Sequence, residues 1–176
     1  MAEETATLAG GCFWCIEAAF KELRGVNSAV SGYAGGDEAD PSYEQVARGQ
    51  TGHAEAVQVT YDTDELSYYD ILKVFFKVHD PTQLNRQGPD VGEQYRSAVF
   101  YHSDEQREIL ETVIDELDGT TYDGIVTEVE QLDVFYPAEE YHQDYYEKNP
   151  QQAYCQMHVA DKVDKVNEVF DELTAN

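Results

Sequence analysis

An α+β fold, with helices packed against an antiparallel or mixed sheet, is what this sequence predicts. Three observations lead there. The chain has 176 residues, 41% hydrophobic and 12% aromatic, enough for one sizeable core and about one domain's length. Segments of strand-like alternation occur beside segments of helical periodicity. They do not alternate strictly, as a doubly wound parallel sheet requires. No repeat, low-complexity segment or Pro/Ser-rich linker divides the chain. Residues 1–176 therefore read as a single domain, with 149–176 as a C-terminal extension.

Each element has its own signal. Thr5 to Ala9 reads as a strand running into Gly10-Gly11, and Ile16, Ala19, Phe20 and Leu23 follow at helical spacing. Cys12 thus falls at a helix start, and Gly25 closes that helix. Val26 to Tyr33 is strand-like and ends at Gly35-Gly36. Pro41-Ser42 opens a short helix to Arg48, stopped by Gly49, and Ala54 to Tyr61 alternates as a strand. Ser67 with Asp70 forms a capping-box signature ahead of Ile71, Val74, Phe75 and Val78. His79 to Gln94, with Pro81, Gly88, Pro89 and Gly92, reads as a long loop rich in polar chemistry. Arg96 to Tyr101 is a strand, and Ser103 with Gln106 caps a helix to about Asp118. Ile125 to Leu132 is a strand and Ala138 to Lys148 a helix, broken by Asn149-Pro150. A last amphipathic helix carries Val163, Val166, Phe170 and Leu173.

Charge narrows the function. Asp and Glu total 36 against 11 Lys and Arg, a formal net charge of −25. Such a surface repels phosphate, which argues against nucleic acid and anionic membranes as partners. The carboxylates are dispersed and the aromatics numerous, so the reading is a folded protein with an acidic coat rather than disorder. That coat repels itself at low ionic strength, and salt at about 1 M, with a Debye length of about 3 Å, screens it; adaptation to a salty cytoplasm is the expectation. Met1-Ala2-Glu3-Glu4 lacks the basic and apolar regions of a signal peptide, and no apolar run approaches the ~20 residues of a spanning helix. Three cysteines without an export signal point to thiol chemistry or metal rather than a disulfide framework.

The cysteines carry the first constellation, Gly10-Gly11-Cys12-Phe13-Trp14-Cys15. A thiol at a helix N-terminus faces free N–H groups and the positive end of the dipole, which lowers its pKa. The alternative is two small apolar cysteines opening a buried helix. Cys155 follows Asn149-Pro150, on a tail able to deliver a second sulfur to Cys12. Cys12, Cys15, Cys155 and His158 also make a possible tetrahedral zinc set, with a much longer gap than compact zinc modules have. Glu55 begins a strand and points either to solvent or to the sheet's functional face. His53 reads as structural. The phenols of Tyr43 and Tyr95 can donate hydrogen bonds to an oxygen. Glu139, Glu140, His142 and Asp144 read as the solvated face of a helix, with no role assigned.

Together these residues resemble a known family. Gly-Cys-Phe-Trp at 11–14, Gly-Tyr-Ala-Gly-Gly at 32–36, Thr-Gly-His-Ala-Glu at 51–55, His-Asp-Pro-Thr at 79–82, Arg-Gln-Gly-Pro-Asp at 86–90, Gln-Tyr-Arg-Ser at 94–97, Tyr-His-Gln-Asp-Tyr at 141–145 and Asn-Pro at 149–150 resemble, in order, the peptide-methionine (S)-S-oxide reductases, or A-type methionine sulfoxide reductases. The resemblance implies a ferredoxin-like α/β sandwich and reduction of the S epimer of methionine sulfoxide, free or in proteins. It implies Cys12 as nucleophile, Glu55 as active-site carboxyl, and Tyr43, Asp90 and Tyr95 around the sulfoxide oxygen, with Phe13 and Trp14 lining the methyl pocket. It also implies thioredoxin as external reductant and no bound metal or organic cofactor. Many members carry glycine where this chain has Cys15, and a subset resolves with cysteine there; Cys155 matches the tail position that resolves in others. Tail mobility favours Cys155 for the first disulfide. A general dithiol–disulfide oxidoreductase using Cys12-x-x-Cys15 and a zinc-stapled module are the competing readings.

Overall fold

The computed structural model describes residues 2–174. The single-domain expectation for 1–176 also takes in residues 1, 175 and 176, which lie outside the described residues. Strand β1 (Glu3–Ala9) leads into helix α1 (Phe13–Lys21), then β2 (Val26–Ala34), α2 (Tyr43–Ala47), β3 (Ala54–Asp62) and α3 (Tyr68–Val78). Next come β4 (Arg86–Gln87), β5 (Asp90–Val91), β6 (Ala98–Tyr101), α4 (Asp104–Leu117), β7 (Glu128–Gln131) and β8 (Phe135–Pro137). Helices α5 (Tyr145–Lys148) and α6 (Ala160–Val169) follow.

The main sheet has the order β7-β6-β1-β3-β2-β8. Its four inner strands, β6-β1-β3-β2, are antiparallel at every step and are crossed over by α1 and α3. This is the β-α-β-β-α-β ferredoxin-like arrangement. β7 extends one edge in parallel with β6, and β8 extends the other antiparallel to β2.

Strand alternation decides which side chains meet the helices. On β3, Val57, Val59 and Tyr61 join the large core with Phe13, Ile16 and Phe20 of α1 and Ile71, Leu72 and Phe75 of α3, while Ala54 and Ala56 join a small cluster with Ala9, Ala34 and Phe100. Glu55 shares the parity of Val57 and therefore faces the helices. The capping boxes at Ser42 and Ser67 are both formed, as Ser-x-x-Gln and Ser-x-x-Asp sequences allow.

Besides the unforeseen strand β8, four segments differ from the sequence reading. The long loop 79–94 contains the β4–β5 hairpin and a 3₁₀ turn at Glu93–Tyr95. Gly88 takes a positive φ at the first of two turn positions, as primed hairpin turns require. The strand expected over 125–132 contracts to β7. The expected helix over 138–148 is instead a 3₁₀ turn at Glu140–His142 and the short α5, separated by Asp144 in the left-handed region at φ 55°. The reason is side-chain competition for the backbone: Ser31 N–H donates to Gln143 Oε1, Gln143 Nε2 donates to the carbonyls of Ser31 and Ala138, and Asp144 N–H donates to buried Glu17. Finally, the last helix opens with a π turn at Cys155–Val159, and Phe170 and Leu173 lie beyond α6, still packed on the core. No helix among the described residues is long and apolar enough to cross a membrane.

Candidate active site

The strand β1–helix α1 turn positions Cys12. Gly11 has φ +93°, and a Cβ there would meet the Gln87 side chain at 2.7 Å; only glycine makes this turn against the hairpin. Cys12 then caps α1 with extended backbone angles and no side-chain cap. The register Leu8↔Val57 puts Glu55 just past the end of β1, beside this turn, and Tyr33 is its cross-strand partner on β2.

Glu55 is only 1% exposed. Its Oε1 accepts the Phe13 N–H at 3.1 Å, one of the amides that a helix start leaves unpaired. Its Oε2 has no protein partner. Burial, with the charges at Asp90 and Cys15, outweighs the Phe13 hydrogen bond and pushes the carboxyl up to about 8. The group is therefore a protonated acid near neutral pH, with one oxygen free to act.

The other predicted polar groups converge on the same place. Tyr43 opens α2, and its phenol is raised by burial and by the nearby Glu55, Cys12 and Asp90. Tyr95 ends the 3₁₀ turn after the hairpin, and its phenol is raised by burial and by Glu55, Tyr43, Asp90 and Cys12. Asp90, on β5, accepts a 2.5 Å hydrogen bond from the Tyr154 hydroxyl. Phe13 packs 5.7 Å from Tyr33 and 6.3 Å from Tyr43, while the Trp14 indole lies flat against Tyr145 at 3.7 Å. Sequence-distant segments thus build one aromatic-walled site around Cys12.

The thiol electrostatics correct one expectation. Cys12 was expected to have a lowered pKa at its helix start; instead burial, the Cys15 side chain and the Glu55 charge raise it, against one favourable backbone contact from Trp14. Cys15 is lowered because it accepts a hydrogen bond from Cys12, helped by Lys162 and Tyr154. The two shifts run in opposite directions because Cys12 is the hydrogen-bond donor and Cys15 the acceptor. Desolvation of the thiolate is the largest cause at Cys12, and the Trp14 backbone contact only partly offsets it.

Cys155 differs from expectation too. Rather than sitting on a loose tail, it is fully buried, packed with Cys15, Ala18 and Val159. Cys12, Cys15, Asp90, Tyr154, His158 and Lys162 share a cavity of about 130 Å³. A larger groove of about 540 Å³ lies elsewhere, between Tyr68 and Ile109, and contains none of these groups. Among the described residues, no three of His, Cys, Asp and Glu are grouped to hold a metal ion.

Sequence reasoning missed several participants. Glu139 and His142 are not a solvated face. Glu139 accepts from the Tyr33 hydroxyl and the Tyr43 N–H. Although burial opposes its charge, hydrogen bonds from the Tyr43 N–H, its own N–H and the Tyr33 hydroxyl hold it below the ordinary range. His142 is 2% exposed and accepts the Trp14 indole N–H. Asp144 pairs with Lys21, and Glu140 is exposed. Tyr145 and Tyr154 also line the site. The aromatic density of 141–146 was the available signal. His53 is structural as expected, accepting from Gly36 N–H and contacting the Glu38 carbonyl.

A half-buried thiol next to a protonated carboxyl, two phenols and a second thiol, on a ferredoxin-like sandwich, defines a thiol-dependent oxidoreductase. Residues 4–174 match the family described as peptide methionine sulfoxide reductase, and the chain belongs to that family. It is 64% identical over 170 residues to peptide methionine sulfoxide reductase MsrA of Natronomonas pharaonis, covering 96% of both chains. Reduced Mxr1 from Saccharomyces cerevisiae superposes with a TM-score of 0.83 at 38% identity, over 89% of this chain and 91% of that one. Mxr1 in complex with Trx2 matches at 0.59 and 28% identity, over 81% and 84%.

Proposed function

We propose that this protein reduces the S epimer of methionine sulfoxide, free or in proteins, to methionine, working as one domain over residues 1–176 in the cytoplasm. The observation that carries the reading is the protonated Glu55 carboxyl, with an unpartnered buried oxygen, beside the Cys12 thiol. Sulfoxide reduction is slow because oxygen must be removed from sulfur, so proton delivery and hydrogen bonding at that oxygen are where catalysis acts. Glu55 donates the proton, and Tyr43, Tyr95 and Asp90 polarise and orient the oxygen. Phe13 and Trp14 receive the methyl group and fix the handedness of the sulfur.

Cys12 transfers its proton toward Cys15 as its sulfur attacks. The oxygen passes to Cys12, which is oxidised to sulfenic acid while the sulfoxide is reduced to methionine. A second thiol condenses with the sulfenic acid, releasing water and forming a disulfide. The hydrogen bond between Cys12 and Cys15, and the packing of Cys155 on Cys15, favour Cys15 as first partner and Cys155 as the next in a relay. This reverses the order that tail mobility suggested. An external dithiol then restores the thiols, and the Mxr1–Trx2 complex supports thioredoxin in that part. The chemistry requires no bound metal or organic cofactor.

The test is a single turnover without recycling reductant, with separate S and R epimers. About one methionine per chain from the S epimer alone is expected, abolished in Cys12→Ser. No methionine from either epimer in a folded sample overturns the proposal.

A further inference from the structure

We infer that His142 is a positioning residue that sets the methyl pocket by clamping Trp14, and so contributes to the preference for one sulfoxide epimer. The inference rests on the proposed reductase reading. Trp14 sits on the first turn of α1, two residues after the nucleophile, and three contacts determine where its indole points. One face lies against Tyr145, with centroids 3.7 Å apart and planes 4° off parallel. An edge of the Tyr154 ring approaches it at 5.9 Å. The indole N–H, its only polar atom, donates to His142 Nδ1 at 3.1 Å.

The hydrogen bond fixes the histidine tautomer. With Nδ1 accepting, the neutral ring carries its proton on Nε2, and that nitrogen is buried without a protein partner. Burial also lowers the His142 pKa, against Glu139, in keeping with a neutral acceptor. The ring stands 4.3 Å from Tyr43 and 5.3 Å from Phe13, as well as 5.8 Å from Trp14. It therefore touches the methyl-pocket walls and one of the oxygen-binding phenols together, an arrangement that explains why a polar ring with one unsatisfied donor occupies this place.

His142 is itself anchored. Gln143 binds the Ser31 backbone at both its N–H and its carbonyl, and Glu17 accepts the Asp144 N–H while also accepting from the Ser31 hydroxyl. The clamp is thus referred to α1 and β2, the elements that carry the nucleophile and the Glu55 partner strand. A loose indole would leave the methyl slot ill-defined, which costs binding more than chemistry because the methyl group is held alike in substrate and transition state.

The experiment compares His142→Phe, which keeps the ring but loses the acceptor, with His142→Asn, whose side-chain oxygen can replace Nδ1. Trp14 is the single tryptophan, so fluorescence anisotropy decay reports on this indole alone. His142→Phe is expected to show added fast indole motion, an S-epimer KM raised about tenfold with kcat changed much less, and a smaller S-over-R ratio. His142→Asn is expected to restore most of each. A His142→Phe protein with wild-type anisotropy decay, KM and epimer ratio overturns the inference. If His142→Phe does not fold, a His142→Asn protein with a freely moving indole overturns it. Anisotropy needs no substrate, so an inactive wild type would refute the reductase reading while the clamp is still tested.

Discussion

Replacing Glu55 by Gln keeps the shape of the protonated acid: the amide oxygen accepts the Phe13 N–H, and the amide nitrogen takes the place of the acid O–H. The substitution separates the acid's cost to the fold from its value to the reaction. In the unfolded chain the carboxyl titrates at its ordinary 4.5, in the folded one at about 8. Between these values the folded state holds the extra proton, so wild-type stability is full below pH 4.5 and falls as pH rises toward 8. At roughly 1.36 kcal/mol per pH unit, the loss reaches about 3 kcal/mol by pH 7. The Gln variant has no such loss. Urea unfolding of both proteins at pH 4, 5, 6, 7 and 8, in molar salt to screen the surface charge, should show curves that coincide at the acid end and diverge by about that amount at pH 7. The same variant loses the proposed proton donor, and general acid catalysis is worth about 10²–10⁴-fold. Its kcat/KM for the S epimer should fall within that range, and the wild-type decline in kcat/KM above about pH 8 should vanish. A stability difference independent of pH, or wild-type turnover by the variant, would refute the reasoning.

Thiol counting after one turnover should show no loss in Cys12→Ser. If Cys15 is the first partner, Cys155→Ser still loses two thiols, about the count of one disulfide, and Cys15→Ser stalls with a sulfenic acid trapped by a dimedone-type probe; the reverse pattern returns the role to Cys155. The melting temperature should rise between low and molar salt, because a net charge of −25 repels itself until screened; a flat or falling value refutes the salt reading. Gly36→Ala should destabilise by about 1–3 kcal/mol or more, because the added Cβ would lie 2.4 Å from the backbone of both His53 and Thr51, which side-chain motion cannot relieve; a near-wild-type urea midpoint would show that this turn yields.

Much of the fold is legible in the sequence because its signals are local. Cap residues at Ser42, Ser67 and Ser103 and the periodicity of β3 and α3 depend on near neighbours, and the structure bears them out. The segment 138–148 was not legible. Its backbone is bent by Gln143 and Asp144 finding partners on Ser31 and Glu17, more than a hundred residues away. β8 was missed because three residues ending in Pro137 carry no period; only the open edge of β2 makes them a strand.

By itself, then, the sequence determined the acidic coat, the order of the longer strands and helices, the placing of Cys12 at the start of a helix, and through its ordered motifs the family. Tertiary structure alone decided the protonation states and the partners. Strand parity put Glu55 under α1, where desolvation rather than residue type raises its pKa. The same burial reversed the expected pKa shift of Cys12, since loss of hydration is the largest cause acting on that thiol. It also brought Cys155, Tyr154, Tyr145 and His142 around Trp14 and the thiols. Those contacts join residues over 120 positions apart, and no local pattern encodes a distance closed only by packing.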